Sequence, residues 1–141
     1  MADLKFVKMH GLGNDYIVID LYDRTNSKAF AAIRDLKSFA KEACDRHFGI
    51  GADGILLATP PEDKNNAGRM RIINADGSEA EMCGNGIRCI AKLIIDKGYT
   101  RSKQLRIETE SGIKAIVAKD GVYRVDMGQP HLLRKEIPMN G

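Results

Sequence analysis

The 141-residue sequence predicts an α+β fold in which a mixed or antiparallel sheet wraps around one central helix. Three observations carry that prediction. Residues 87–97 read as a helix on which, before the terminal Lys97, only Arg88, Lys92 and Asp96 are polar, four apart on one narrow stripe, so it must be buried on most sides. Residues 104–109, 113–118 and 122–127 read as three strands joined by the turns Glu110-Ser111-Gly112 and Lys119-Asp120-Gly121, an antiparallel meander. A sheet with one apolar face needs a layer against it, and no other segment is apolar enough to be wrapped.

The remaining elements follow in order. Residues 4–9 alternate enough for a strand, 16–21 are rich in β-branched and aromatic residues, and Gly11-Leu12-Gly13-Asn14-Asp15 connects them as a strand pair. In 36–48, Leu36, Phe39, Ala40, Ala43 and Cys44 recur at three and four, an amphipathic surface helix stopped by Gly49. A short apolar strand at 55–58 leads to a solvated loop at 60–66, of the kind that tolerates change. Residues 69–74 alternate as a strand and run into the turn Ala75-Asp76-Gly77-Ser78. Gly98 is placed to cap the central helix. The tail from Gln129 has no periodicity.

Composition narrows the function. With 43% hydrophobic and 29% charged residues the chain is an ordinary globular domain. Its longest apolar runs, 16–21 and 55–58, stop far short of the ~20 residues of a membrane span. The start, Met1-Ala2-Asp3-Leu4-Lys5, has no secretion signal, which makes the cytoplasm the default location. The formal net charge of +3 is scattered and aromatics are only 6%, so neither nucleic acid nor a membrane is an expected partner. Cys44, Cys83 and Cys89 are an odd number with no secretory context and are expected to be reduced. Metal binding is not expected either, because no CxxC occurs and His10, His47 and His131 show no ligand spacing.

Two motifs compete for chemistry. Gly49-Ile50-Gly51-Ala52-Asp53-Gly54 satisfies the dinucleotide pattern GxGxxG, but a helix precedes it and a strand follows, the reverse of what phosphate binding needs. It reads as a helix stop and a tight turn. Cys83, by contrast, stands at the entrance to the buried helix, followed by Gly84-Asn85-Gly86. The partial positive charge of helix N-terminal amides favours a thiolate, and the same N–H groups can hold a substrate carboxylate. The alternative is a small apolar residue in a glycine turn. Six residues of helix rotate Cys89 about 240° and raise it about 9 Å from Cys83, so the two cannot flank one atom; Cys89 and Cys44 read as core. His10 and His47, beside glycine-rich loops, read as satisfied structural histidines.

Lys8 through Tyr16, Asp45 through Gly54, Asn74 through Cys89, and Val125 through Pro130 closely resemble diaminopimelate epimerase. The resemblance implies a half of that fold and a cofactor-independent enzyme, without pyridoxal phosphate, interconverting LL- and meso-diaminopimelate in lysine biosynthesis. Two cysteines on opposite faces of the α-carbon would transfer the proton, one as thiolate and one as thiol. It further implies that Cys83 is one of the pair, that Gly84 and Asn85 cradle the reacting amino acid, and that Asn14 and Asn74 contact it. Some family members carry glutamine where this chain has Gly54. Residues 1–128 are thus expected to be the N-terminal epimerase domain and 129–141 the start of a linker to a second, absent domain. The expected partners are the amino-acid substrate and either that second half or a second copy of the chain. The alternative function is a non-catalytic ligand-binding or interaction module derived from one such half.

Overall fold

The structure is a computed structural model that describes residues 3–130. His131 and the rest of the predicted linker, 131–141, lie outside the described residues.

The chain begins with an antiparallel pair, β1 (Val7–Gly11) and β2 (Asn14–Asp20), with Met9 opposite Tyr16 and Gly11 opposite Asn14. Two helices follow, α1 (Arg24–Ala31) and α2 (Leu36–Cys44), each opened by an aspartate whose carboxylate accepts from the third residue on: Asp23 from Asn26 and Asp35 from Ser38. They carry the chain across to β3 (Gly54–Thr59), which lies parallel to β2. β4 (Gly68–Asn74) returns antiparallel to β3 and also holds the two-residue β5 (Glu79–Ala80). The long helix α3 (Gly84–Asp96) then crosses to β6 (Gln104–Thr109), parallel to β4, and β7 (Gly112–Lys119) and β8 (Val122–Val125) complete an antiparallel meander. One mixed, eight-stranded sheet results, in the order β1-β2-β3-β4-β6-β7-β8 with β5 on β4.

Both edge strands, β1 and β8, reach α3, so the sheet curls around that helix as predicted. Ile87, Cys89, Ile90, Ala91, Leu93 and Ile94 of α3 pack with Val18, Leu56, Met70, Ile72, Leu105, Ile107 and Ile116 of the concave face. The helix ends as Gly98 was read to end it. Gly98 takes φ +72°, its N–H donates to Ile95 O and the Tyr99 N–H to Ile94 O, which satisfies two otherwise orphaned carbonyls.

Four expectations need correction. The sheet does not have a single apolar face at its centre: Ile17, Ile19, Ile55, Leu57 and Ile73 form a second core with Ala40 and Cys44 of α2. β2 and β3 are covered on both sides, which is why they read as unbroken apolar runs. The helix predicted over 36–48 stops at Cys44, because the Asp45 carboxylate accepts from the His47 and Phe48 N–H groups and turns the chain. Gly49 is required there, since a Cβ would stand 2.0 Å from Glu42 O. α1 and β5 were not expected, α1 because its eight residues bury only Asn26 and so show little apolar period. The loop at 60–66 is exposed at Pro60 and Glu62 to Asn65 as expected, but it is tied down: the buried Glu108 carboxylate accepts from the Glu62 and Asp63 N–H groups, and Asn66 is buried.

Candidate active site

α3 starts three residues earlier than its apolar pattern suggests, and this decides the site. Gly84, Asn85 and Gly86 form the first turn and Cys83 is the N-cap, its Sγ accepting from the Gly86 N–H at 3.4 Å. A cap is usually an oxygen; here a thiol sulfur takes its place at the positive end of the helix. Gly86 is packed so closely on β3 that a Cβ would lie 3.1 Å from Leu56 Cδ2, which lets the helix end seat against the sheet.

Two side chains of β2 complete the surroundings of the sulfur. Tyr16 Oη lies 2.8 Å from Cys83 Sγ, and the Asn14 amide donates to Tyr16 Oη at 2.8 Å and reaches Sγ at 3.8 Å. Residues two apart on a strand share a face, and β2 is paired so that this face looks at the start of α3. Burial, reinforced by the contact with Cys83, pushes the Tyr16 phenol above its ordinary range. Burial therefore keeps the proton on the phenol oxygen.

Of the five residues singled out by sequence, Cys83, Gly84, Asn85 and Asn14 meet at this helix end. Asn85 sits under the β1–β2 hairpin, where a Cβ on Gly11 would stand 3.1 Å from Asn85 Cβ. Asn85 also lines an open cavity of about 490 Å³ with Met9, His10 and Leu12. Asn74 is on the same side but apart. Tyr16, Gly54 and Asn74 occupy one row of the sheet, which puts Asn74 two strands, about 10 Å, from Tyr16. Its amide donates to Ser78 Oγ at 3.0 Å within the turn after β4. Gly54 between them has no room for a larger residue, since a Cβ would lie 2.8 Å from Ile73 O.

Tyr16 is the residue that sequence reasoning left out. Its signal was there in Asn14-x-Tyr16, a polar pair with strand spacing, but an aromatic residue opening a strand reads first as core. His10 and His47 are both exposed, which corrects their reading as satisfied structural residues. The other cysteines are core as expected: Cys89 is 3% exposed and burial pushes its thiol up to about 11, while burial likewise raises that of Cys44. Gly49 to Gly54 forms the turn between α2 and β3, with Ile50 and Gly51 N–H groups bound back to Ala43 O.

A charged clamp fixes that turn to the hairpin. Arg46 bridges Asp15 and Asp53 at 2.7 and 2.9 Å, and Lys8 holds Asp15 at 2.8 Å and also donates to Gly51 O. The Arg46 hydrogen bond, followed by that from Lys8, holds the Asp15 carboxyl well below the usual carboxylate range. Among the described residues no group of three or more His, Cys, Asp or Glu is arranged to hold a metal ion, and no helix is long and apolar enough to cross a membrane.

A curled mixed sheet around one helix is an architecture shared with solved structures. A probable proline racemase from Agrobacterium radiobacter K84 superimposes with a TM-score of 0.58 at 14% identity, over 85% of this chain and 40% of that one. A phenazine biosynthesis protein of the PhzF family from Enterococcus faecalis does so with a TM-score of 0.57 at 15% identity, over 79% of this chain and 36% of that one. Sequence resolves the family within that fold. The chain belongs to the diaminopimelate epimerase family, whose model matches residues 6–133. It is 49% identical over 137 residues to diaminopimelate epimerase of Carboxydothermus hydrogenoformans, covering 96% of this chain and 48% of that protein. The enzyme of Pseudomonas syringae pv. tomato is 48% identical over 136 residues, at 96% and 47% coverage. The chain thus spans about half the length of the relatives it matches.

Proposed function

We propose that this chain supplies one of the two acid–base groups of a cofactor-independent epimerase acting on LL- and meso-diaminopimelate in lysine biosynthesis. The observation that carries the reading is Cys83 at the N-cap of α3, its sulfur in hydrogen-bond contact with Tyr16 and the Gly86 N–H. In this reading the Cys83 thiolate takes the α-proton: the C–H bond breaks, an S–H bond forms, and the electron pair left on carbon delocalises into the carboxylate. The N–H groups of Gly84 and Asn85, at the helix start, bind that carboxylate as charge builds on it. Asn14 orients the substrate from β2, and Asn74 reaches it from β4 once substrate draws its amide away from Ser78.

Inversion requires a proton donor on the opposite face of the carbon. Cys44 and Cys89 are buried in the two cores and do not serve. We assign the second group to a partner of this chain's residues 1–128, either a second half joined through a linker at 129–141 or a second copy of this chain. Three free cysteines suit a reducing compartment such as the cytoplasm.

The test is proton NMR of diaminopimelate in deuterated, reducing buffer, first with this chain and then with the second half of a family member added. The reading expects α-proton exchange and stereoisomer formation once both halves are present, and no stereoisomer formation with Cys83→Ala. Stereoisomer formation that survives Cys83→Ala overturns it.

A further inference from the structure

We infer that Tyr16 is a positioning residue for the acid–base thiol: its phenol donates a hydrogen bond to Cys83 Sγ and holds the sulfur ready as the thiolate. The inference deepens the proposed function and rests on it for its meaning, though not for its test.

With the sulfur as thiolate the direction of the bond is fixed, because a thiolate has no proton to donate. Tyr16 Oη accepts from the Asn14 amide at 2.8 Å, so that side of the oxygen is taken and its own hydrogen is free to point at Cys83 Sγ, 2.8 Å away. The ring is 5% exposed and packs in the α3 core, which fixes the phenol in place without help from solvent. Burial also disfavours the phenolate, so the proton stays on oxygen when the sulfur is ionised. The Gly86 N–H at 3.4 Å adds a second donor from the helix. A thiolate formed here meets donors prearranged by β2 and α3, with no reorganisation needed when substrate arrives.

The other ionisable groups around the pair do not take over this role. Asp53, in the turn before β3, acts on Tyr16 in the same sense as burial, raising it. Cys89, one turn and a half along α3, stays a neutral thiol in the core. The guanidinium of Arg88 is taken by the Gly84 and Tyr123 carbonyls, at 3.2 and 2.9 Å.

The experiment is iodoacetamide alkylation of the whole chain across neutral to alkaline pH, read at the Cys83 peptide by mass spectrometry, with thermal melting in parallel. Tyr16→Phe keeps the ring and removes the donor. It is expected to alkylate at Cys83 about tenfold more slowly at neutral pH, with the profile moved about one pH unit to the alkaline side and the melting little changed. Asn14→Ala, which leaves the phenol in place but no longer directs it, is expected to give a smaller shift in the same direction. Profiles of both variants that superimpose on the wild type overturn the inference and leave the proposed reaction standing. Variants that shift as expected here, together with a wild type that exchanges no α-proton once its second half is added, overturn the reaction and not the bond.

Discussion

Cys83 and Cys89 belong to the same helix, six residues apart, and the fold treats them as different chemical groups. Cys83 is half-buried at the N-cap with a phenol at 2.8 Å and a backbone N–H at 3.4 Å. Cys89 is 3% exposed between strands, and burial pushes its thiol up to about 11. Nothing in the residue type separates them. The difference is made by the end of the helix, where N–H groups have no partner in the preceding turn, against its middle, where every N–H is used and the side chain is packed into the core.

Four changes break or sharpen this contrast. The largest effect belongs to Cys83→Ser, which keeps the cap but replaces the thiol by a hydroxyl: in the two-half assay stereoisomer formation is expected to fall by at least about 100-fold, with unfolding by denaturant unchanged. Next is Ile90→Ala, beside Cys89 in the wall of the core and fully buried. It is expected to lower stability by about 2–5 kcal/mol in a denaturant titration and to expose Cys89, not Cys83, to faster alkylation. Cys89→Ser places a hydroxyl among Leu, Ile and Met side chains. A loss of about 1–3 kcal/mol is expected by the same titration, with the Cys83 alkylation profile unmoved.

The smallest effect is expected of Asp15→Asn, which loosens the clamp of Arg46 and Lys8 without touching the helix end. Because the folded carboxyl is held below its ordinary value, its contribution is present above the unfolded value near 4 and disappears as pH falls further. The melting temperatures of the wild type and the variant are therefore expected to differ slightly at neutral pH and to converge in acid. The clamp's exposure to solvent keeps the difference small, and added salt narrows it. Divergence on acidification would mean that Asp15 is not the group held by the clamp.

The contrast also marks how far sequence reading reached. The central helix was legible because its polar residues, Arg88, Lys92 and Asp96, fall on one stripe, and the meander because Gly112 and Gly121 punctuate it at turns where both take positive φ. Cys83 was legible from its position before Gly84-Asn85-Gly86. Helix α1 was not, since it buries an asparagine whose amide binds Lys5 O and Asp20 O, and a polar anchor leaves no period in the sequence. Nor was the hold of Glu108 on the loop at 60–66, a contact across 46 residues.

What the sequence by itself determined is the set of local choices. The period of the apolar residues set helix or strand, the aspartates and glycines set most of the caps and turns, and the run Cys83 to Gly86 placed a thiol at a helix entrance. What only the tertiary structure decided is which distant groups meet there. Tyr16 and Cys83 are separated by 67 positions, and their contact depends on β2 lying beside β1 and β3 while α3 closes the concave face. Periodicity records which side of an element is buried. It does not record which residue of another element stands opposite, because that is fixed by strand register and helix placement, properties of the assembled sheet rather than of any one segment.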